Sequence, residues 1–184
     1  PDDRARLVRD PPRHPRTRQV TSGSAGVSQD VAAGAPAPGD AAPDVTLLDA
    51  HGSPVTLSGL RGGPVALVFY PFAFSRTCTT ELCELRDNIE DFEAAGVRLL
   101  AVSCDPVPAL RAWSEQEGFG YDLLSDFWPH GAAARAFGGV DAASGMALRG
   151  SFLLDGEGIV RWSLVNPRGV ARDLGEYRAA LAAL

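Results

Sequence analysis

From Gly39 onward the apolar positions switch between two periods, and the switching lays out alternating strands and helices. Val65-Ala66-Leu67-Val68-Phe69-Tyr70 is an unbroken apolar run, the pattern of a strand buried on both faces. Between Thr77 and Ala95, Leu82, Leu85, Ile89 and Phe92 recur at spacings of three, four and three, which predicts one amphipathic helix ended by Gly96. Val97–Ser103 repeats the buried-strand pattern, Pro108–Glu117 reads as a helix, Asp122–Leu124 as a short strand and Gly131–Phe137 as a helix. Val45–Leu48 and Pro54–Leu57 flank the turn Asp49-Ala50-His51-Gly52, and Ser151–Leu154 and Ile159–Leu164 flank Asp155-Gly156-Glu157-Gly158. Both predict hairpins, and Leu174–Leu184 closes the chain as a helix. Parallel strands joined by helical crossovers, with a hairpin before and after, predict an α/β domain with a central mixed sheet flanked by helices.

Residues 1–38 follow neither period. They hold six of the chain's 14 prolines and no aromatic residue, so they cannot bury enough surface to offset the entropy of ordering and are expected to form a disordered extension. The folded domain is expected over residues 39–184. Six arginines against four aspartates make the extension basic, while 11 arginines against 19 acids leave residues 39–184 at −8. An acidic domain is a poor partner for nucleic acid. All 17 basic residues are arginine, which excludes Schiff-base and lysine-base chemistry. The absence of an 18-residue apolar span argues against a membrane segment.

Pro71-Phe72-Ala73-Phe74-Ser75-Arg76-Thr77-Cys78 carries a cysteine from the end of the first buried strand into the first turn of the following helix. There a thiol meets unpaired backbone N–H groups and the positive end of the helix dipole, both of which favour thiolate over thiol. A free cysteine is otherwise often an inert buried hydrophobe. The polar first turn Thr79-Thr80-Glu81 would be a poor wall for that role, so Cys78 is read as a nucleophile.

Pro71, Ser75 and Cys78 match Pro-x-x-x-Thr/Ser-x-x-Cys, and here the chain resembles the peroxiredoxins. The likeness runs from about Gly39 to the C-terminus, through Ala42–Leu47 and Leu148–Asp155, and implies a thioredoxin-like fold with an N-terminal hairpin extension. Leu124–Gly131 resembles the one-cysteine actinobacterial subgroup, alkyl hydroperoxide reductase E. Cys83, five residues after Cys78, instead resembles the resolving cysteine of the peroxiredoxin Q, or bacterioferritin comigratory protein, subgroup. The resemblance implies a peroxidase for hydrogen peroxide or alkyl hydroperoxides. Cys78 would be nucleophile, Ser75 the hydroxyl that orients the peroxide, Arg149 the cation on sulfur and substrate, Pro71 the shield from water, and Glu81 the acid that orients an arginine. It implies no cofactor, a thioredoxin, a glutaredoxin-like protein or a low-molecular-weight thiol as reductant, and it admits a homodimer. Apart from the resemblance, Arg149 reads as a surface charge at a strand edge and Glu81 as a first-turn acid complementing the helix dipole.

The remaining candidates read more plainly. Cys78, Cys83 and Cys104 lack the paired spacing of a zinc site, so no metal is expected. Cys104 reads as a small buried hydrophobe, Trp113 as core, and His130 as a residue of a helix start or the surface. Phe72, Phe74, Phe127 and Trp128 read as core, with the lining of a substrate mouth as the alternative. Three cysteines without a secretory signal fit a reducing, cytoplasmic setting. The competing functional class is a non-catalytic thioredoxin-fold module that senses redox state or binds a partner; that role needs the thiol but not the combination of Ser75, Cys78 and Arg149.

Overall fold

The computed structural model describes residues 34–166 and 170–184. An N-terminal hairpin, β1 (Thr46–Asp49) and β2 (Pro54–Thr56), precedes the central strands β3 (Val65–Phe69), β4 (Arg98–Ser103) and β5 (Asp122–Ser125). Helices α1 (Arg76–Asp87) and α2 (Ile89–Ala94) link β3 to β4, and α3 (Val107–Glu117) links β4 to β5. Helix α4 (Ala132–Ala136) and a small hairpin, β6 (Val140–Asp141) with β7 (Met146–Ala147), lead into β8 (Arg149–Leu154), β9 (Val160–Asn166) and α5 (Leu174–Leu181).

One seven-stranded sheet runs in the order β2-β1-β5-β4-β3-β8-β9. β3, β4 and β5 are parallel, and every other pairing in this sheet is antiparallel. All five residues of β3 are buried, and their alternation divides the core. Val65, Leu67 and Phe69 face α4 through Ala133, Ala134 and Phe137. Ala66 and Val68 face α1, α2 and α5 through Leu85, Phe92 and Tyr177, while Tyr70 meets Cys78, Leu82, Leu110 and Trp113 of α1 and α3. The expected mixed sheet flanked by helices is therefore present.

Local departures from the sequence reading have local causes. The single helix expected over 77–95 breaks at Asn88 (φ −124°, ψ 25°), whose Nδ2 donates to the Glu84 carbonyl at 2.8 Å while its Oδ1 accepts from Arg178. The apolar stripe continues across the break because Ile89 and Phe92 still face the core. Leu57 leaves the second strand and opens a 3₁₀ turn over Leu57–Leu60. The hairpin of β6 and β7 has no signature in the sequence, since two-residue strands carry no period to read. Ala35 and Pro36 already pack against the domain, with Ala35 so close to Gly138 that a Cβ there would lie 2.5 Å from it. The rest of the expected disordered extension, residues 1–33, lies outside the described residues.

Phe92 is fully buried, with its ring centroid 6.0 Å from that of Tyr177, so it fixes α2 and α5 on one face of the sheet. Phe92→Ala is expected to cost about 3–5 kcal/mol. In urea unfolding this should appear as a lower midpoint with an unchanged m-value; a midpoint equal to wild type would mean that this face does not hold the helices.

Candidate active site

The pairing of β3 with β8 sets the site. The register that places Val68 opposite Ser151 brings the start of β8 beside the end of β3, and so brings Arg149 beside the turn that leads into α1. Tyr70 N–H donates the last ladder bond, to Val102, and Pro71, with no N–H, cannot extend the ladder. The turn is held from β4: Ala73 N–H donates to Asp105 at 2.8 Å, and Ser103 also donates to that carboxylate oxygen at 2.8 Å. Phe74 then adopts a left-handed φ of 60°, a strained conformation for a bulky residue, and its ring lies 5.9 Å from that of Trp113. Beyond it, Ser75 caps α1, its Oγ accepting from Cys78 N–H at 3.4 Å. That bond uses a lone pair and leaves the hydroxyl proton free to donate.

Cys78 is fully buried in the first turn, and Arg149 Nη2 donates to its Sγ at 3.6 Å. Arg149 is only 6% exposed, which corrects its reading as a surface charge. Its Nη1 donates to Glu81 Oε2, and its Nε is buried without a partner among the described residues. Glu81 is likewise buried and accepts from a second arginine: Arg172 N–H reaches Oε1 at 2.8 Å, and Arg172 Nη2 reaches Oε2 at 3.5 Å. Arg172 Nη1 also donates to the Phe69 carbonyl at 2.7 Å and to the Gly150 carbonyl and Ser151 hydroxyl at 3.3 Å. Sequence reasoning missed Arg172. The one signal was its place between Val170-Ala171 and the helix-capping Asp173.

Ser75, Cys78, Glu81 and Arg149 thus form one cluster, with Pro71 half-buried in the turn before it. Cys83 does not join them. It lies on the same unbroken helix, half-buried, with Sγ donating to Glu117 Oε2 of α3 at 3.7 Å. Burial pushes its thiol above the usual cysteine range, and Glu117 adds to the effect. Cys104 is buried in the core below α4, where desolvation, helped by Asp126, pushes its thiol up to about 11. His130 is exposed, with Nε2 2.6 Å from the Gly145 carbonyl. Phe72, Phe74, Phe127 and Trp128 are 41%, 51%, 50% and 83% exposed, so they are not core. Trp113 is, at 0%. A cavity of about 540 Å³ lies between Leu48, Val107, Phe127 and Trp128, and Cys78 does not line it. Among the described residues no group of three His, Cys, Asp or Glu side chains is placed to hold a metal, and no helix is long and apolar enough to cross a membrane.

The model of the AhpC/TSA family matches residues 38–163, a span that holds both the cysteine turn and the start of β8. The chain belongs to this family, the peroxiredoxins. Such a protein is a thiol-dependent peroxidase. Among similar proteins, alkyl hydroperoxide reductase E of Mycobacterium bovis and of Mycobacterium tuberculosis is 45% identical over 147 residues, 79% of this chain and 96% of the relative. Peroxiredoxin 2 of Thermoplasma acidophilum is 36% identical over 152 residues, 79% of this chain and 75% of that one. The crystal structure of peroxidoxin BcpB from Mycobacterium tuberculosis superposes with a TM-score of 0.72 at 30% identity, covering 81% of this chain and 98% of that one. Enterococcus faecalis AhpC superposes at 0.73 and 29% identity, covering 80% and 92%.

In this peroxiredoxin the buried ion cluster is expected to dominate local stability. Glu81→Gln leaves two buried guanidiniums without their carboxylate and should cost about 3–5 kcal/mol. Asp91→Asn breaks the exposed pair with Arg178, whose side chains are 37% and 54% accessible, and should cost less than about 1 kcal/mol. Chemical denaturation of both variants tests the contrast, which equal losses would refute.

Proposed function

We propose that this peroxiredoxin reduces hydrogen peroxide and alkyl hydroperoxides through Cys78, with Arg149 and Ser75 acting on the transferred oxygen. The observation that carries the reading is the division of the Arg149 fork: one terminal nitrogen is spent on Glu81, the other faces Cys78 Sγ, and Nε has no acceptor among the described residues. A buried N–H left unpaired costs about 1–3 kcal/mol, which a peroxide oxygen would recover. Glu81 with Arg149 and Arg172 carries a net +1, which a sulfur anion neutralises.

The sulfur attacks one peroxide oxygen; an S–O bond forms as the O–O bond breaks. The second oxygen leaves as alkoxide or hydroxide and takes up a proton from solvent, while the Ser75 hydroxyl at the helix cap orients the peroxide by donating to the transferred oxygen. Cys78 is oxidised by two electrons to the sulfenic acid, and the peroxide is reduced to alcohol or water. Arg149 stabilises the charge that develops on oxygen, and Pro71 helps exclude water from the sulfur. A thioredoxin, a glutaredoxin-like protein or a small thiol completes the cycle in a reducing compartment such as the cytoplasm, with the enzyme as monomer or homodimer.

Steady-state peroxide consumption with a dithiol reductant tests these roles. Cys78→Ser is expected to abolish turnover, whereas Cys104→Ser should stay within about threefold, its thiol being protonated at neutral pH. Arg149→Lys keeps charge but loses the fork, and Arg149→Met loses both, so the losses should be graded, reaching about 10²–10³-fold for Met. Turnover by Cys78→Ser, or full activity of a folded Arg149→Met, would overturn the assignment.

Cys83 we assign as the resolving thiol. Five residues along the intact α1 place the two Cα atoms about 8–9 Å apart, beyond the roughly 7 Å a disulfide spans, so the first turn must unwind. One equivalent of peroxide should yield a Cys78–Cys83 disulfide with loss of helical circular dichroism, and Cys83→Ser should accumulate sulfenic acid that overoxidises. Identical end products in wild type and Cys83→Ser, by mass spectrometry, would make this a one-cysteine enzyme.

A further inference from the structure

Given Cys83 as the resolving thiol, we propose that Glu117 is the base that takes its proton as Cys83 attacks the Cys78 sulfenic acid. Cys83 Sγ already donates to Glu117 Oε2 at 3.7 Å. Gln116 Nε2 donates to the other carboxylate oxygen, Oε1, at 2.9 Å, and Arg86 Nη1 donates to the main-chain carbonyl of Glu117. The Arg86 contact locks the C-terminal half of α1, which carries Cys83, to the C-terminus of α3, which carries the carboxylate.

The two halves of α1 are anchored differently. The half around Cys83 is fixed from outside the helix by Arg86 and by Tyr121, whose hydroxyl donates to the Leu82 carbonyl at 2.8 Å; Asn88 Nδ2 closes its end on the Glu84 carbonyl. In the first turn, Thr79 Oγ1 donates to the Ser75 carbonyl and Thr80 Oγ1 to the Arg76 carbonyl, bonds within the helix that disappear with it. Unwinding therefore carries Cys78 toward a thiol that stays on its base.

A base is needed because this thiol resists ionisation. The charged and titratable groups facing Cys83 are Arg86 and Asp87 of its own helix, Glu117 of α3, and Tyr121 before β5; burial and the acids outweigh Arg86 and raise the thiol. A thiol is far less nucleophilic than a thiolate. In the step proposed, the proton passes from Cys83 Sγ to Glu117, an S–S bond forms, and the Cys78 S–O bond breaks. The departing hydroxide takes up a proton to become water. Cys83 sulfur is oxidised by one electron and Cys78 sulfur reduced by one, so the step needs no further reductant.

Rapid mixing of the full chain with one equivalent of hydrogen peroxide, followed by an alkylating quench and mass spectrometry, gives the rate of disulfide formation across about pH 6 to 9.5. Glu117→Gln is expected to slow that step on the order of 10–100-fold at neutral pH. The variant's rate should rise with the thiolate fraction and approach wild type at alkaline pH, and Glu117→Asp should recover part of the neutral-pH loss. A Glu117→Gln rate and pH profile equal to wild type would overturn the proposal while leaving Cys83 as the resolving thiol. A loss that neither alkaline pH nor Asp restores would mark Glu117 as structural and equally overturn it. Absence of any Cys78–Cys83 disulfide in wild type would remove the Cys83 assignment itself.

Discussion

A buried carboxylate cannot be left alone, and Glu81 accordingly draws two arginines out of distant parts of the chain. Glu81 rides on α1 one turn beyond Cys78, Arg149 begins β8, and Arg172 lies just ahead of α5. Both Glu81 oxygens are occupied, by Arg149 and by the backbone and side chain of Arg172. Once Arg149 is tethered on one terminal nitrogen, its planar fork fixes where the other points, and that direction is the Cys78 sulfur. Arg172 closes the same end of the sheet by donating across the β3 and β8 ends to Phe69 and Gly150. The position of the cation at the thiol and the integrity of the sheet end therefore rest on one carboxylate.

Much of the frame was legible because each strand and helix had its own period. The run Val65–Tyr70 had to be a doubly covered strand, and the placement of Cys78 in a first turn followed from the polar break after it. What was illegible depended on partners far away in sequence. Arg149 and Arg172 look like ordinary arginines until the register Val68↔Ser151 sets one of them opposite the cysteine turn. The break at Asn88 was hidden because the apolar stripe crosses it without losing phase. Phe72, Phe74, Phe127 and Trp128 read as core, or as the lining of a substrate mouth, because aromatic residues usually cluster, yet all four are exposed on turns whose backbones run over the surface. The roles proposed for Ser75 and Arg149 come from the family resemblance, at the cysteine motif and at Leu148–Asp155, and no periodicity contains them.

Glu81 also settles which part of α1 can move. It lies three residues after Cys78 and two before Cys83, and its ion pairs hold it to β8 and to the segment before α5. Residues 76–80 can leave the helix while the Glu81 side chain keeps its partners on β8 and before α5, so unwinding does not expose an unpaired buried charge. Besides the bonds within the turn itself, the contact that must break is the weak one from Arg149 Nη2 to sulfur at 3.6 Å. Arg149 therefore favours the folded turn most while the sulfur is anionic, and its hold falls once the sulfur is a neutral sulfenic acid. In the proposed cycle the first step would thus loosen the constraint that the second needs removed, which would order the two steps without any separate switch.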